Sequence, residues 1–231
     1  MSPGGARLTV SAIVPALDER GEIAETLARA RAALGPETEL IVVDGGSRDD
    51  TRALAARQAR VIACEPCRGL QLHRGAQSAG GDILVFLHAD TWLSAGAGEA
   101  IRAAVARGAV AGCCRLAVRA EGRRYRWLER GVAWRTRRFG TATGDQALFA
   151  TRSAYAATGG FEPHPLFEDV RLVRALKGVG RFEPVGAVAA TSARRWAERG
   201  FVRTVLAHGL LRLRHAAGAE PARLARRYGH R

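Results

Sequence analysis

The sequence has no apolar run of about 18 residues, so it offers no membrane-spanning helix. Its four cysteines are too few, in 231 residues, for a disulfide scaffold. Met1 is the only methionine, which excludes a soft methionine-rich recognition surface. Lys177 is the lone lysine among 36 basic residues, and the rest are arginine. No basic segment followed by a long apolar stretch and a small-residue cleavage site opens the chain, so no signal peptide is expected and a cytoplasmic location is. No GxGxxG follows the first strand-like run and no GxxxxGK occurs, which argues against a nicotinamide dehydrogenase and a P-loop NTPase. Neither an internal repeat nor a domain linker interrupts the chain.

What is present suits one medium domain. A hydrophobic fraction of 47% can fill a core and argues against global disorder. The net charge is +14, from 36 basic and 22 acidic residues. That surplus leaves three partner classes open: nucleic acid, an anionic membrane face, or a phosphate-bearing substrate.

The first ninety residues alternate between strand and helix periods. Leu8–Val14, Leu40–Val43, Val61–Cys64 and Ile83–Leu87 read as strands, the last without any polar alternation. Helical stretches are expected between them, from Asp18 or Glu19 to about Leu34, from about Asp50 to Gln58, and over Gly69–Ala79. This pattern predicts an α/β domain with a largely parallel sheet. Right-handed crossovers place all parallel strand ends on one edge, where open α/β sheets bind ligands. Asp18-Glu19, Asp44-Gly45-Gly46-Ser47 and His88-Ala89-Asp90 sit at those ends and should converge.

Farther along, a helix is expected over Ser94–Arg107 and a strand over Ala109–Val118. Arg123–Thr136 is basic and aromatic. A strand is expected over Ala147–Ala150, a short helix over Arg152–Thr158, a helix from Glu168 to about Leu176, and a late strand over Arg181–Val188. From Ala193 the chain reads as a basic helical tail (193–231), with two equal readings: an interfacial helix on anionic lipid, or packing against the domain.

Each polar cluster carries a chemical and a structural reading. Asp44 can accept from a base or ribose, or can cap the following turn. Asp90 suits a hard divalent ion that also touches a diphosphate, and His88 two residues before it would favour Mn2+. Glu168-Asp169 opens a helix, where the dipole alone favours acids, yet the apolar lead-in could bury one carboxylate and raise it into the range of a base. Cys64-Glu65-Pro66-Cys67 has the spacing of a redox dithiol, but the size of the chain and its third-strand position make incidental small residues the better reading. Thr191 to Trp196 combines arginines suited to phosphate with an aromatic face, or is a basic helix start with a core tryptophan.

Together these residues resemble family 2 glycosyltransferases, which have a GT-A fold. The resemblance rests on Ser11 to Glu19, Val42 to Ser47, Arg68-Gly69-Leu70-Gln71, Phe86 to Thr91, Gly144-Asp145-Gln146 and Glu168-Asp169. Phe86-Leu87-His88-Ala89-Asp90-Thr91 is similar to the "FLHADT" form of the DxD metal motif. Within the superfamily, the chain is similar to the bacterial radical-SAM/selenodomain-associated transferase 2 group, some of whose members are described by analogy as carotenoid-acid glucosyltransferases.

The resemblance implies a single GT-A domain over 1–192 and a metal-dependent, inverting transferase using a nucleotide-sugar, with UDP favoured. Pro15, Leu17, Glu19, Asp44, Arg68, Gln71, His88, Ala89, Arg194 and Arg195 would contact the donor. Asp90, with His88, would hold Mn2+ or Mg2+. Asp169 would be the base with Glu168 beside it, and Asp145, Gln146 and Trp196 would face a small-molecule or lipid acceptor. Peripheral attachment to an anionic membrane through the tail is a further expectation. Ser192 replaces the glutamine of the QxxRW found in processive synthases, which argues against that class. The alternative is a non-catalytic basic adaptor for membrane or nucleic acid. No nucleic-acid module signature appears, so no nucleic-acid partner is expected.

Overall fold

The computed structural model of the protein describes residues 7–163 and 167–216. The elements are β1 (Val10–Ala16), α1 (Ile23–Leu34), β2 (Glu39–Asp44), α2 (Thr51–Ala56), β3 (Arg60–Ala63), α3 (Arg68–Ser78), β4 (Ile83–Phe86), β5 (Thr91–Leu93), α4 (Ala97–Ala106), β6 (Ala111–Arg119), α5 (Arg123–Phe139), a 3-10 turn (Gly144–Gln146), β7 (Leu148–Thr151), α6 (Arg152–Ala157), α7 (Glu168–Val179), β8 (Phe182–Ser192), α8 (Arg194–Arg199) and α9 (Phe201–Ala216).

The eight strands form one sheet in the order β3-β2-β1-β4-β7-β6-β8-β5. The β3-β2-β1-β4 half is parallel. β7 runs antiparallel to both β4 and β6, β6 pairs parallel with β8, and β5 runs antiparallel to β8. The sheet is mixed but mostly parallel, with four parallel pairs and three antiparallel ones. The antiparallel pairs all involve β7 or β5, which lie outside the regular βα alternation of the first ninety residues. The chain leaves β1 toward β2 on one side and returns as β4 on the other, a switch point of the kind that opens a crevice at the strand ends.

The apolar strands are buried on both faces, which explains their lack of alternation. Ala12, Val14, Val42 and Val85 pack on one face against Ile23 and Leu27 of α1 and Ile101 of α4. Ile13, Ile41, Val43 and Phe86 pack on the other against Leu72 of α3 and Leu172 and Leu176 of α7. α3 lies so close to β1 that a Cβ on Gly75 would stand 2.4 Å from Ile13 Cγ2, so only glycine allows this approach.

β5 had no counterpart among the expected elements; it pairs with β8, which runs on to Ser192 where a strand ending at Val188 was expected, and which offers it an edge. The basic stretch Arg123–Thr136 extends to Phe139 as a long helix. The tail begins with α8 and α9, and Phe201 meets Tyr125 of α5 edge-on at 5.3 Å, the packing alternative for that part of it. Residues 217–231 of the expected tail, and His164 to Leu166 of the lead-in to Glu168, lie outside the described residues.

Candidate active site

The ends of β1 and β4, the segment after β3 and the start of α3 enclose a cleft of about 220 Å³ lined by Pro15, Leu17, Glu19, Arg68, Gln71, His88, Ala89 and Asp90, together with Ala16 and Pro66. Eight residues expected from three separate stretches thus meet at one sheet edge. The loops that carry them are tied to each other. Asp18 receives Arg48 N–H at 2.8 Å and donates its own N–H to Ser47 Oγ at 3.0 Å, while Glu19 N–H reaches Thr51 Oγ1 at 2.7 Å.

Polar side chains at this edge divide by role. Gln71 is buried and its amide donates to Ala16 O at 3.1 Å and Val43 O at 2.7 Å, clamping the ends of β1 and β2. Asp44 is also buried; it accepts from Gly46 N at 3.2 Å and from Ser47 Oγ at 2.5 Å, so its carboxylate closes the turn after β2. It is not among the residues lining the cleft.

The turn carrying His88 and Asp90 is held on three sides. Thr26 Oγ1 of α1 donates to Ala89 O at 2.7 Å, Arg119 of β6 donates to Asp90 O at 3.0 Å, and Ser192 N–H of β8 donates to the same oxygen at 3.1 Å. Among the described residues, Asp90 Oδ1 has two long hydroxyl contacts, Thr91 at 3.4 Å and Thr191 at 3.5 Å. Among the described residues no cation pairs with Asp90 and no cluster of three His, Cys, Asp or Glu side chains forms. A carboxylate with an imidazole near it in the chain, both lining an open cleft, fits a hard divalent ion that the protein holds only in part.

Across the cleft, α7 starts with Glu168 and Asp169, entered through Phe167 in a left-handed conformation at φ 64°. Glu168 is 4% exposed and pairs with Arg68 at 3.5 Å. Asp169 accepts Gly144 N–H at 2.7 Å and Val170 N–H at 2.7 Å. Enclosure by protein, followed by the Glu168 charge, pushes the Asp169 carboxyl up to about 7. Gly144 is the joint between the two sides: a Cβ there would lie 2.7 Å from His88 Nε2 and 3.6 Å from Asp169 Oδ2. Asp18, Ala147 and Phe167 are the non-glycine residues with positive φ among those described, and all border these loops.

Several expected contacts are arranged otherwise. Gln146 does not fit an acceptor contact: it is 1% exposed, its amide donates to Thr136 Oγ1 at 3.1 Å, and its oxygen accepts Thr143 N–H at 3.2 Å. Asp145 accepts Thr143 Oγ1 at 2.5 Å. Arg194 holds both Glu19 oxygens at 2.8 Å, which opposes the rise that burial imposes on the Glu19 carboxyl. Trp196 stands edge-on to Tyr125 with ring centroids 6.4 Å apart. The Arg195 side chain lies outside the described residues. Cys64 and Cys67 are unbonded, and burial raises the Cys64 thiol, the reverse of an activated redox cysteine.

Gly144 stood in a motif segment, but its role is the space it leaves, which no side chain announces. Arg135 of α5 is a residue that sequence reasoning missed: its buried Nε has no hydrogen-bond partner among the described residues, and it feels the charges of Asp145 and Asp169. Only its helical phase could have suggested that it faces inward.

Solved structures with this architecture include the mannosyltransferase PcManGT from Pyrobaculum calidifontis in complex with GDP-Man and Mn2+, with a TM-score of 0.60 and 20% identity over 80% of this chain and 56% of that one. S. aureus TarS 1-349 superposes with a TM-score of 0.62 at 15% identity, covering 80% of this chain and 61% of that one. Glucosyl-3-phosphoglycerate synthase from Mycobacterium tuberculosis, in complex with Mn2+, UDP and glucosyl-3-phosphoglycerate, gives 0.55 at 24% identity, covering 81% of this chain and 71% of that one. At these identities the likeness establishes the GT-A fold, and the chain spans little more than half of PcManGT. No curated protein matches the chain. The sequence model of glycosyl transferase family 2 matches residues 11–162, which run from β1 through the His88–Asp90 turn to the loop before α7. With that match over most of its length, the chain belongs to glycosyl transferase family 2.

Proposed function

We propose that the cleft transfers a sugar from a nucleotide-diphosphate sugar, with UDP as the favoured nucleotide, to an acceptor hydroxyl with inversion at the anomeric carbon. The reading is carried by one observation: the space beside Gly144 is bordered at one point by both the His88 ring, 2.7 Å from where a Cβ would stand, and the Asp169 carboxyl, 3.6 Å from it. Donor-side and acceptor-side machinery are then within one sugar of each other.

A divalent ion would be held by Asp90, with His88 beside it, and would supply positive charge against the leaving diphosphate. Pro15, Leu17 and Glu19 wall the nucleotide side, and Arg68 reaches into the cleft from the start of α3. Asp169 takes the acceptor proton as the acceptor oxygen bonds to the anomeric carbon. The bond from that carbon to the diphosphate breaks, and its electron pair leaves with the nucleotide. Gly144 N–H and Val170 N–H fix the Asp169 carboxylate for this role, and Glu168 keeps it basic by like charge. Residues 1–192 would form the catalytic unit and 193–231 an appendage whose described part packs on α5.

Titration calorimetry with UDP and Mn2+ tests the donor half. Mn2+-dependent UDP binding is expected, and Asp90→Ala should remove the metal dependence. UDP binding that ignores Mn2+, or that Asp90→Ala leaves intact, would overturn the assignment.

A further inference from the structure

α5 presents a face to solvent that the cleft does not use. Helical spacing puts Tyr125, Glu129 and Thr136 on its inner side, and all three are buried. The opposite line holds Trp127 and Trp134, seven residues apart, exposed by 68% and 60%. Arg123, Arg130 and Arg138 flank this line and Phe139, 50% exposed, closes it. Three of the six large hydrophobic side chains exposed among the described residues lie on this one helix. They are organised: Trp134 meets Phe139 edge-on at 5.5 Å, Arg130 lies 5.9 Å from the Trp127 ring, and Arg138 lies 5.3 Å from that of Phe139.

The charge on this face has one sign. Glu129, the only acid of α5, points inward, accepts Val118 N–H at 2.7 Å and pairs with Arg126 at 2.9 Å. Arg123, Arg130, Arg137 and Arg138 have no ion pair among the described residues. A soluble surface gains nothing from two indoles each more than half exposed, whereas tryptophan flanked by arginine matches the boundary between headgroups and acyl chains.

We propose that α5 is a docking surface for an anionic lipid bilayer, with Trp127 and Trp134 entering the interface and the flanking arginines on the headgroups. The element that docks is thus α5, in the middle of the chain, and its attachment does not depend on how the cleft is read. The inner side of the same helix supports Gln146 through Thr136, so docking would bring the Gly144–Gln146 turn near the membrane.

The test uses the full chain and vesicles of phosphatidylcholine with or without phosphatidylglycerol. Binding is expected only with the anionic lipid and should weaken as salt rises. Trp127→Ala/Trp134→Ala should lower affinity at least about tenfold, and Arg130→Ala or Arg138→Ala about fivefold each. Metal-dependent UDP binding should stay unchanged in all of them. Lipids brominated near the headgroup should quench the wild type, but not Trp127→Phe/Trp134→Phe, whose remaining indoles are Trp92 and Trp196. Absent binding to anionic vesicles would overturn the proposal. So would binding that survives the double substitution but is lost when residues 217–231 are removed. Concentration-dependent dimers abolished by the double substitution, or equal competition by duplex DNA, would assign the face to another partner and overturn it as well.

Discussion

On the β1–β4 side of the cleft, the candidate residues stand mostly at or just beyond the end of a parallel strand. On the opposite side they come from a 3-10 turn, a helix start and a neighbouring helix. The first arrangement follows from topology alone, because parallel strands flanked by helices must all end on one edge. The second depends on hydrogen bonds between parts of the chain that share no period: Asp169 with Gly144, Gln146 with Thr136, Glu168 with Arg68. The donor side is thus prescribed by a repeating pattern, and the acceptor side by particular pairings. Chemistry should tolerate least change where the two meet.

The largest effect is expected at Asp169. Asp169→Asn should lower kcat about 10³-fold while leaving donor affinity near wild type. With the carboxyl raised to about 7, kcat/KM should climb with pH and level off above that value. Glu168→Gln should move the acid limb to lower pH by removing the like charge. The raised pKa also means that the folded protein keeps a proton the unfolded chain releases near 3.8, so this group's contribution to stability falls as pH rises from there to about 7. Asp169→Asn should flatten that slope in urea unfolding. An unshifted limb in Glu168→Gln would break the pairing assigned to the acceptor side.

Gly144→Ala sharpens the comparison at the joint. Its Cβ would require His88 or the turn to move, and displacement of about 1 Å at a reacting centre costs up to about 10²-fold. A loss of about tenfold or more in transfer is expected, with UDP binding affected less. Full activity would separate the two sides of the cleft. The smallest effect falls on stability. Gln146→Leu leaves Thr143 N–H without its partner and removes the bond to Thr136, so a loss of about 2 kcal/mol is expected by urea denaturation. Transfer by the folded fraction should remain.

Much of the donor side was legible because its signal is local. Unbroken apolar runs ending in acids declare strands buried on both faces with polar ends at an edge. The helix over Glu168 and Asp169 was legible too, from acids followed by apolar residues at helical spacing. The mixed half of the sheet was not, since β5 has only three residues and takes its edge from β8, about a hundred residues later. Gln146 and Gln71 show the limit at the level of single side chains. Both sit in motif segments, yet both are buried clamps whose partners are backbone or side-chain atoms of distant strands and helices.

The sequence by itself determined the α/β class, the family resemblance and the gathering of the β1, β2 and β4 ends at one edge, because hydrophobic periodicity fixes which faces are buried. Tertiary structure alone decided which polar groups line the cleft and which close turns behind it. It also decided that the two tryptophans of α5 stand on the outside. A polar side chain's role depends on the partners that folding brings to it, and for Gln71, Glu168, Asp169 and Gln146 the deciding partners include residues far along the chain.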